Sequence, residues 1–185
     1  LNQKSLGLQI SRSGKYIIYH TRKLRYFLQF LDVPPKIIHE DGNNRPTSEL
    51  KAIRFNNEYD RDVALATYCS SLFFWYYIAY SDCRNLNKRE VHSFPLTLAE
   101  MDASIKKRLG NLSKVLMMNL RNNSEMKMLR YKKYGDLNVQ VFKPRLTKGI
   151  IDEIDIELSK HYGFTKDETS FILNYDLRFR MGADE

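Results

Sequence analysis

The sequence predicts an α+β fold: a mixed strand-and-helix portion, then a long amphipathic helix and a C-terminal helical hairpin. Short apolar segments separated by turn residues, typical of strands, fill the chain up to about Phe55. From Leu98 onward, apolar residues recur every three or four positions, as they do in amphipathic helices. Between these parts lies the uncharged aromatic segment Leu72–Tyr80, which we expect in the core because its exposure to water is costly.

The N-terminal portion is predicted to consist mainly of strands and loops. Leu6, Leu8 and Ile10 alternate with other residues, which is the pattern of a strand. One short helix is predicted near Arg25 to Phe30. The predicted turns are Ser13-Gly14, Asp32 to Pro35, and Asp41 to Pro46. The remaining strand candidates are Tyr16 to Tyr19, Ile37 and Ile38, and Leu50 to Phe55.

Helices are predicted from caps and periodicity. Asp60 is the predicted N-cap of a helix that continues to Tyr80, with Ser70-Ser71 as a point where it can bend or break. The pattern Thr97-Leu98-Ala99-Glu100 is a capping box, and it predicts the start of a helix of about 23 residues. Asn122-Asn123 ends or weakens that helix.

The C-terminal part is predicted to hold one strand and two helices. Leu137, Val139 and Val141 alternate as in a half-buried strand. A helix that ends at Gly163 follows, and a second capping box, Thr165 to Glu168, starts the last helix. The predicted divisions are thus residues 1–97, a long spacer or packing helix in 98–133, and a strand plus helical hairpin in 134–185 that packs back.

The composition favours a nucleic-acid partner. A formal charge of +8 and a pI near 9.4 point to nucleic acid, an anionic membrane or an acidic protein, and we place nucleic acid first. No apolar run is long enough to span a membrane, so we expect a soluble protein without a membrane partner. Cys69 lies in the apolar segment and only Cys83 accompanies it, so we expect reduced thiols and a cytoplasmic location. Two cysteines and four scattered histidines predict neither a disulfide framework nor a metal site.

Two polar segments are candidates for DNA contact. Arg suits guanine and Asn suits adenine in the major groove, whereas a cation on a phosphate fixes register without reading sequence. The base-reading candidates are Arg84, Asn85, Asn87, Lys88 and Arg89, with Arg45 and Ser48 as weaker ones. The phosphate candidates are Lys15, Arg22, Lys23 and Arg25, which are interleaved with tyrosines. The alternative for each is an exposed, solvated side chain, and Asp82 is a candidate salt-bridge partner of Arg84.

The C-terminal segment GIIDEIDIELSKHYGFTKDETSFILNYDLRFRMG resembles the end of adenine-specific DNA methyltransferases of restriction-modification systems, particularly single-chain Type IIG restriction enzymes. Earlier segments, KYIIYHTRKLRYF, RPTSELKAIRF and SSLFFWYYIAYSDCRNLN, resemble the target-recognition portion that follows the catalytic domain in these proteins. The resemblance covers most of the chain and is weak between Met101 and Asp136. The matching C-terminal residues are Ile151 to Asp155, Leu158, His161 to Thr165, Glu168, Phe171, Ile172, Asn174 to Asp176, Arg180 and Met181-Gly182.

This resemblance implies that residues 1–97 are a DNA target-recognition domain that presents an adenine to a methyltransferase domain upstream in the same polypeptide. S-adenosylmethionine and Mg are expected for the parent enzyme, and no cofactor is expected for this segment. Adenine methylation needs an Asn/Asp/Ser-Pro-Pro-Tyr/Phe loop around the flipped base. The Pro-Pro of this chain lies in Val33-Pro34-Pro35-Lys36, where valine cannot accept the required hydrogen bond, so we assign no catalytic residue.

Three other functions are alternatives to DNA recognition. Asp41 followed by Glu49-Leu50-Lys51 has the letter pattern of a metal-dependent nuclease, but so short a pattern arises easily by chance. A protein-interaction or subunit-docking module would use the basic surface and the long helix to bind an acidic partner. A stand-alone enzyme is the least favoured, because neither a nucleophile-base pair nor a cofactor loop is visible.

Overall fold

The α+β class is confirmed by a computed structural model, which describes residues 5–22, 28–45, 50–132 and 135–175. Those residues form two small antiparallel sheets and six α-helices. The strands are β1 (Tyr16–Thr21), β2 (Phe30–Leu31), β3 (Ile37–His39), β4 (Leu50–Phe55), β5 (Glu125–Tyr131) and β6 (Gly135–Val141). The helices are α1 (Glu58–Cys69), α2 (Ser71–Tyr80), α3 (Lys88–Ser93), α4 (Ala103–Asn122), α5 (Lys148–Tyr162) and α6 (Lys166–Asn174).

The two sheets have different roles. The first has the strand order β2-β1-β4, and its residues Ile18 and Ile53 lie opposite each other in the core. The second has the order β3-β6-β5. Its strand β3 lies within the predicted division 1–97, whereas its partner β6 lies within 134–185. The second sheet therefore links the predicted division 1–97 to the predicted division 134–185.

The predicted strand at Leu6 to Ile10 is wrong, because this segment contains a 3₁₀ helix, Leu6–Gln9. Leu6 is fully buried, and its amide donates to the carbonyl of Phe94 rather than to a strand. Leu8 is exposed, so the alternation did not mark a buried face. Of the short helix predicted near Arg25 to Phe30, residues 25–27 lie outside the described part, and Phe30 belongs to β2.

The helix predicted from Asp60 to Tyr80 is broken at Ser70, within the Ser70-Ser71 pair where a bend or break was expected, and forms two helices. Asn57, not Asp60, caps α1, because its side chain accepts the amide of Asp60 at 2.8 Å. Ser70 breaks the helix and caps α2, with its hydroxyl accepting the amide of Phe73 at 2.9 Å. Two capping side chains therefore set the positions of α1 and α2.

The capping box predicted at Thr97 to Glu100 is also wrong. A short 3₁₀ helix occupies Leu98–Glu100, and Thr97 makes no cap hydrogen bond. Asp102 caps α4 instead, accepting the amide of Ser104 at 2.8 Å, so the long helix has 20 residues. The segment after it, which the sequence analysis grouped with the helix, forms β5.

The C-terminal elements are as predicted. β6 occupies the predicted strand, and α5 ends at Gly163, whose φ of 69° is the left-handed conformation that glycine adopts without strain. Thr165 and Glu168 form the predicted capping box: the amide of Thr165 donates to the Glu168 carboxylate at 2.8 Å. After the 3₁₀ helix Pro144–Thr147, α5 and α6 pack together as the predicted hairpin.

The aromatic segment lies in the core, as expected, apart from its end. Phe73 is fully buried, with its ring centroid 5.6 Å from Phe30, 5.0 Å from Tyr68 and 5.3 Å from Phe94. Edge-to-face pairs of this kind stabilise a core beyond the area that they bury. Tyr80, at the end of α2, is 63% exposed. The loop that follows α2 therefore begins at the exposed end of a helix most of whose residues pack in or against the core.

Candidate nucleic-acid interface

A cavity of about 570 Å³ lies between the edge strand β4 and helix α3, and we call it the basic groove. Four consecutive residues of β4 line it, so the groove follows the edge of the strand rather than one face of the sheet. Its lining residues are Ile10, Ser11, Arg12, His20, Arg22, Lys51, Ala52, Ile53, Arg54, Leu86, Asn87, Lys88, Val91 and His92. The groove thus has a strand wall and a helix wall.

The described lining of the basic groove carries positive charge. Among the described residues that line it, five are Lys or Arg and none is Asp or Glu. The five cations are Arg12, Arg22, Lys51, Arg54 and Lys88. All except Arg54 are exposed, and none of the five forms an ion pair with a carboxylate in the described part of the chain. Cations without a carboxylate partner remain able to bind an anion from solution.

The strand wall depends on a close approach of two backbone segments. The amide of Ser11 donates to the carbonyl of Arg54 at 2.8 Å, which places Arg12 beside β4. The turn that follows contains Gly14, where an added Cβ would lie 2.2 Å from the Phe55 carbonyl oxygen. Glycine is therefore required for this turn to pack against β4 and hold Arg12 at the groove.

Hydrogen bonds to the core and to the end of β1 hold the helix wall in place. The Tyr68 hydroxyl, fully buried, donates to the carbonyl of Val91 in α3 at 3.0 Å. The buried Glu90 carboxylate accepts the amide of Asn87 at 2.9 Å, and the amide of Leu86 donates to the carbonyl of Arg22 at 2.8 Å. These bonds tie the start of α3 to the end of β1, and so fix the two walls relative to each other.

Two histidines add a titratable charge to the basic groove. Burial lowers the pKa of His20, whose Nδ1 lies 3.1 Å from the carbonyl oxygen of Thr21. Burial, followed by the positive charge of Lys88, lowers the pKa of His92. Both rings are therefore neutral at pH 7, and each can gain a positive charge only in acid.

The structure brings three of the predicted contact residues to the basic groove: Arg22, Asn87 and Lys88. Arg84 and Asn85 lie in the preceding loop, where both of their backbone amides donate to Asp82, at 3.0 and 3.2 Å. Asp82 thus organises the turn through backbone amides, and these bonds lower its pKa. The guanidinium of Arg89 is held by the Glu90 carboxylate, with Nε at 3.0 Å, and does not line the groove.

The remaining predicted contact residues lie elsewhere or outside the described part. The ammonium of Lys15 lies 5.0 Å from the ring centroid of Tyr16 and does not line the groove. The backbone amide of Arg45 donates to the carbonyl of Ile37, in the second sheet. Lys23, Arg25 and Ser48 fall outside the described residues.

The nuclease pattern gains no support from the described residues. Asp41 lies in a turn, where its carboxylate accepts the amide of Asn43 at 2.9 Å. Lys51 lines the basic groove, while Glu49 lies outside the described part of the chain. In the part that the structure describes, no three His, Cys, Asp or Glu residues are grouped so that they could hold a metal ion.

Sequence reasoning did not assign four groove residues to DNA contact: Arg12, His20, Lys51 and Arg54. Lys51 was noted only in the nuclease pattern, and His92 only as a member of the polar segment that supplied the base-reading candidates. The pairing of β1 with β4 places His20 directly opposite Lys51, and the bond from Ser11 to Arg54 brings Arg12 beside them. His92 joins them from α3. Lys51 and Arg54 were visible as two cations within one predicted strand. Two cations in one strand do not identify the strand or helix that lies opposite them.

Comparison with known proteins gives no family assignment. No protein-family model matches the chain, and nothing among the curated proteins or the solved structures matches it significantly. Within the described residues, none of the helices combines the length and the apolar character that crossing a membrane requires. The proposal of a function therefore depends on the geometry and charge of the basic groove.

Proposed function

We propose that this chain binds double-stranded DNA in the basic groove, as the target-recognition domain of a restriction-modification adenine DNA methyltransferase or restriction enzyme. The observation that carries this proposal is the described lining of the groove, in which five residues are Lys or Arg and none is a carboxylate. Neutralising phosphates with such cations releases counterions, which supplies much of the affinity of proteins for DNA. The excess of positive charge in the whole chain, +8, acts in the same direction.

The two walls of the basic groove suit different contacts. Arg12, Lys51 and Arg54 on the strand wall offer charge and suit phosphate oxygens. Asn87, half-buried on the helix wall, takes part in the capping box of α3, and its Nδ2 donates to the carbonyl of Asn85 at 3.4 Å. In this proposal its amide gives up these local bonds for the donor and acceptor pair that reads adenine in the major groove. We therefore assign phosphate binding to the strand wall and base reading to Asn87, with Lys88 beside it.

The assignment to a methyltransferase rests on the sequence resemblance. In this proposal the chain is non-catalytic, and its partner is a methyltransferase domain located upstream in the same polypeptide. That domain would bind S-adenosylmethionine and, in an enzyme that also cuts DNA, Mg. The recognition domain would hold the target in register while the chemistry takes place on the other domain, in the cytoplasm.

The test is a binding titration of the purified chain with a fluorescently labelled duplex at low salt, followed by selection from a random duplex library. We expect binding to duplex DNA and enrichment of a short sequence. Polyglutamate serves as the competitor, because it is negatively charged like DNA but has neither phosphates nor bases. If polyglutamate displaces DNA at equal charge and no sequence is enriched, the chain is an interaction module for acidic partners and the proposal fails.

Replacing Asn87 with alanine is expected to relax sequence preference. Loss of a bidentate contact to a base removes discrimination of about 1–3 kcal/mol at one position. Arg12→Ala, the matched control on the strand wall, is expected to weaken binding to all duplexes about equally. Selection from the random library with each variant checks this, and unchanged preference in the Asn87 variant would contradict the role given to Asn87.

Binding to DNA is expected to strengthen as the pH falls below about 6.5, the ordinary pKa of histidine. The pKa values of His20 and His92 are lowered by burial, so both rings are neutral at pH 7 and charge only in acid. The same protonation opposes folding, because a lowered pKa in the folded state means that stability falls as the pH drops.

The measurement is the dissociation constant between pH 8 and pH 5.5, with circular dichroism to show that the chain stays folded. His92→Gln should lose part of the pH dependence. His161→Gln is the matched control, since burial also lowers the pKa of His161 but this residue does not line the groove. Equal pH dependence in the two variants would contradict the role of His92.

A further inference from the structure

The strand β5 is the exposed edge of the second sheet. It has one neighbour, β6, in the sheet order β3-β6-β5, and six of its seven residues are exposed. An edge strand carries backbone amides and carbonyls that are free to pair with another strand. Four of its exposed side chains are large and apolar: Met126 at 45%, Met128 at 69%, Leu129 at 38% and Tyr131 at 41%. Such a strand is a docking surface rather than an ordinary solvated edge.

The charged side chains of this strand already form ion pairs within its own sheet. The guanidinium of Arg130 binds Asp136 on β6, with Nε at 2.8 Å and a second nitrogen at 3.0 Å. The Glu125 carboxylate lies 3.0 Å from the ammonium of Lys127 and 2.7 Å from that of Lys143. Because these groups are paired inside the sheet, the edge favours an extended occupant that supplies backbone hydrogen bonds and apolar contact rather than charge.

The sequence of β5 is complementary to itself. In a two-fold antiparallel pair centred on Met128, all seven residues find a partner: Met128 faces Met128, and Lys127 faces Leu129. Arg130 then faces Met126, and Glu125 faces Tyr131. No like charges are directly opposed in this register, whereas centring on Lys127 or Arg130 would place like charges face to face. Centring on Met126 or Leu129 also avoids like charges but pairs only three or five residues of β5, so the register centred on Met128 is the longest.

We infer that β5 pairs with β5 of a second copy of this chain, joining two second sheets into one continuous six-stranded sheet. The interface is isologous, with the two-fold axis passing beside Met128. Backbone hydrogen bonds along the strand supply affinity, and the exposed methionines supply apolar contact. Because one strand pair is a small interface, the dimer is expected to form in the micromolar range. This inference stands independently of DNA binding.

The test is analytical ultracentrifugation across a range of micromolar concentrations. The unmodified chain is expected to shift from monomer to dimer. Met128→Lys places two lysines opposite each other on the axis and is expected to abolish the dimer. Met118→Lys, a matched control at an exposed methionine of α4, is expected to leave it intact. A dimer that survives Met128→Lys overturns the proposal, and so does a chain that is monomeric throughout.

Disulfide trapping tests the register directly. Cys69 is buried and Cys83 is exposed, so the experiment uses a Cys83→Ser background. In that background, Met128→Cys brings two thiols together at the axis and is expected to form a covalent dimer on mild oxidation. Met118→Cys is the control for random collision. Equal crosslinking of the two variants contradicts the proposed pairing, whereas selective crosslinking of the Met128 variant supports it.

Discussion

Replacing Lys51 and Lys88 together with glutamate is expected to weaken binding to duplex DNA by at least about 100-fold. Lys51 lies on the strand wall and Lys88 on the helix wall, so the double variant places a negative charge on each side of the basic groove. Both side chains are exposed, and Lys88 is the first residue of α3, where an acidic side chain is favourable to the helix. The fold is therefore expected to persist.

The matched control is Lys107→Glu with Lys166→Glu. These lysines are exposed and lie on α4 and α6, outside the groove, so the control changes the net charge by the same amount. A loss of affinity in the control as large as in the groove variant would show that net charge alone drives binding. A loss confined to the groove variant is the result that we expect from a titration at low salt.

The largest loss of stability is expected for Asp155→Ala. Asp155 is buried in α5, and its carboxylate oxygens accept the amides of Ser71 and Leu72 at 3.0 Å each. These are amides of the first turn of α2, which have no partner within the helix. Removing the carboxylate leaves two buried donors unsatisfied, at a cost of about 3 kcal/mol.

Urea unfolding checks this expectation. The matched control is Asp152→Ala on the same helix, because Asp152 is half-buried and pairs with Lys148 one turn away. An ion pair of this kind contributes about 0.5 kcal/mol or less. If Asp155→Ala and Asp152→Ala shift the unfolding midpoint equally, then the cap that α5 provides for α2 is not a main support of the fold.

Local patterns predicted the elements whose determinants lie close together in the chain. The capping box of Thr165 and Glu168 and the glycine at Gly163 were readable because each involves residues at most three positions apart. The helix start predicted at Thr97 was wrong because the capping side chain is Asp102, five residues later. Its carboxylate accepts the amide of Ser104. Two nearby candidates for one helix start cannot be ranked without the packing that surrounds them.

The basic groove was only partly predictable, because its walls are joined by tertiary contacts. Asn87 and Lys88 could be identified from the polar loop after the aromatic segment. Lys51 joins them through the pairing of β1 with β4 and through the bond from the Leu86 amide to the Arg22 carbonyl. The register that sets Lys51 opposite His20 depends on this pairing, which no local pattern in the sequence specifies.

The central claim is that phosphates bind the cations of the basic groove, and the salt dependence of DNA affinity tests it most directly. If all five groove cations contact phosphates, the logarithm of the binding constant should fall with the logarithm of salt concentration with a slope of about −4.5. Replacing Lys51 and Lys88 with glutamine should make that slope shallower by about 1.8. A slope near zero, or one that these replacements leave unchanged, would contradict the account.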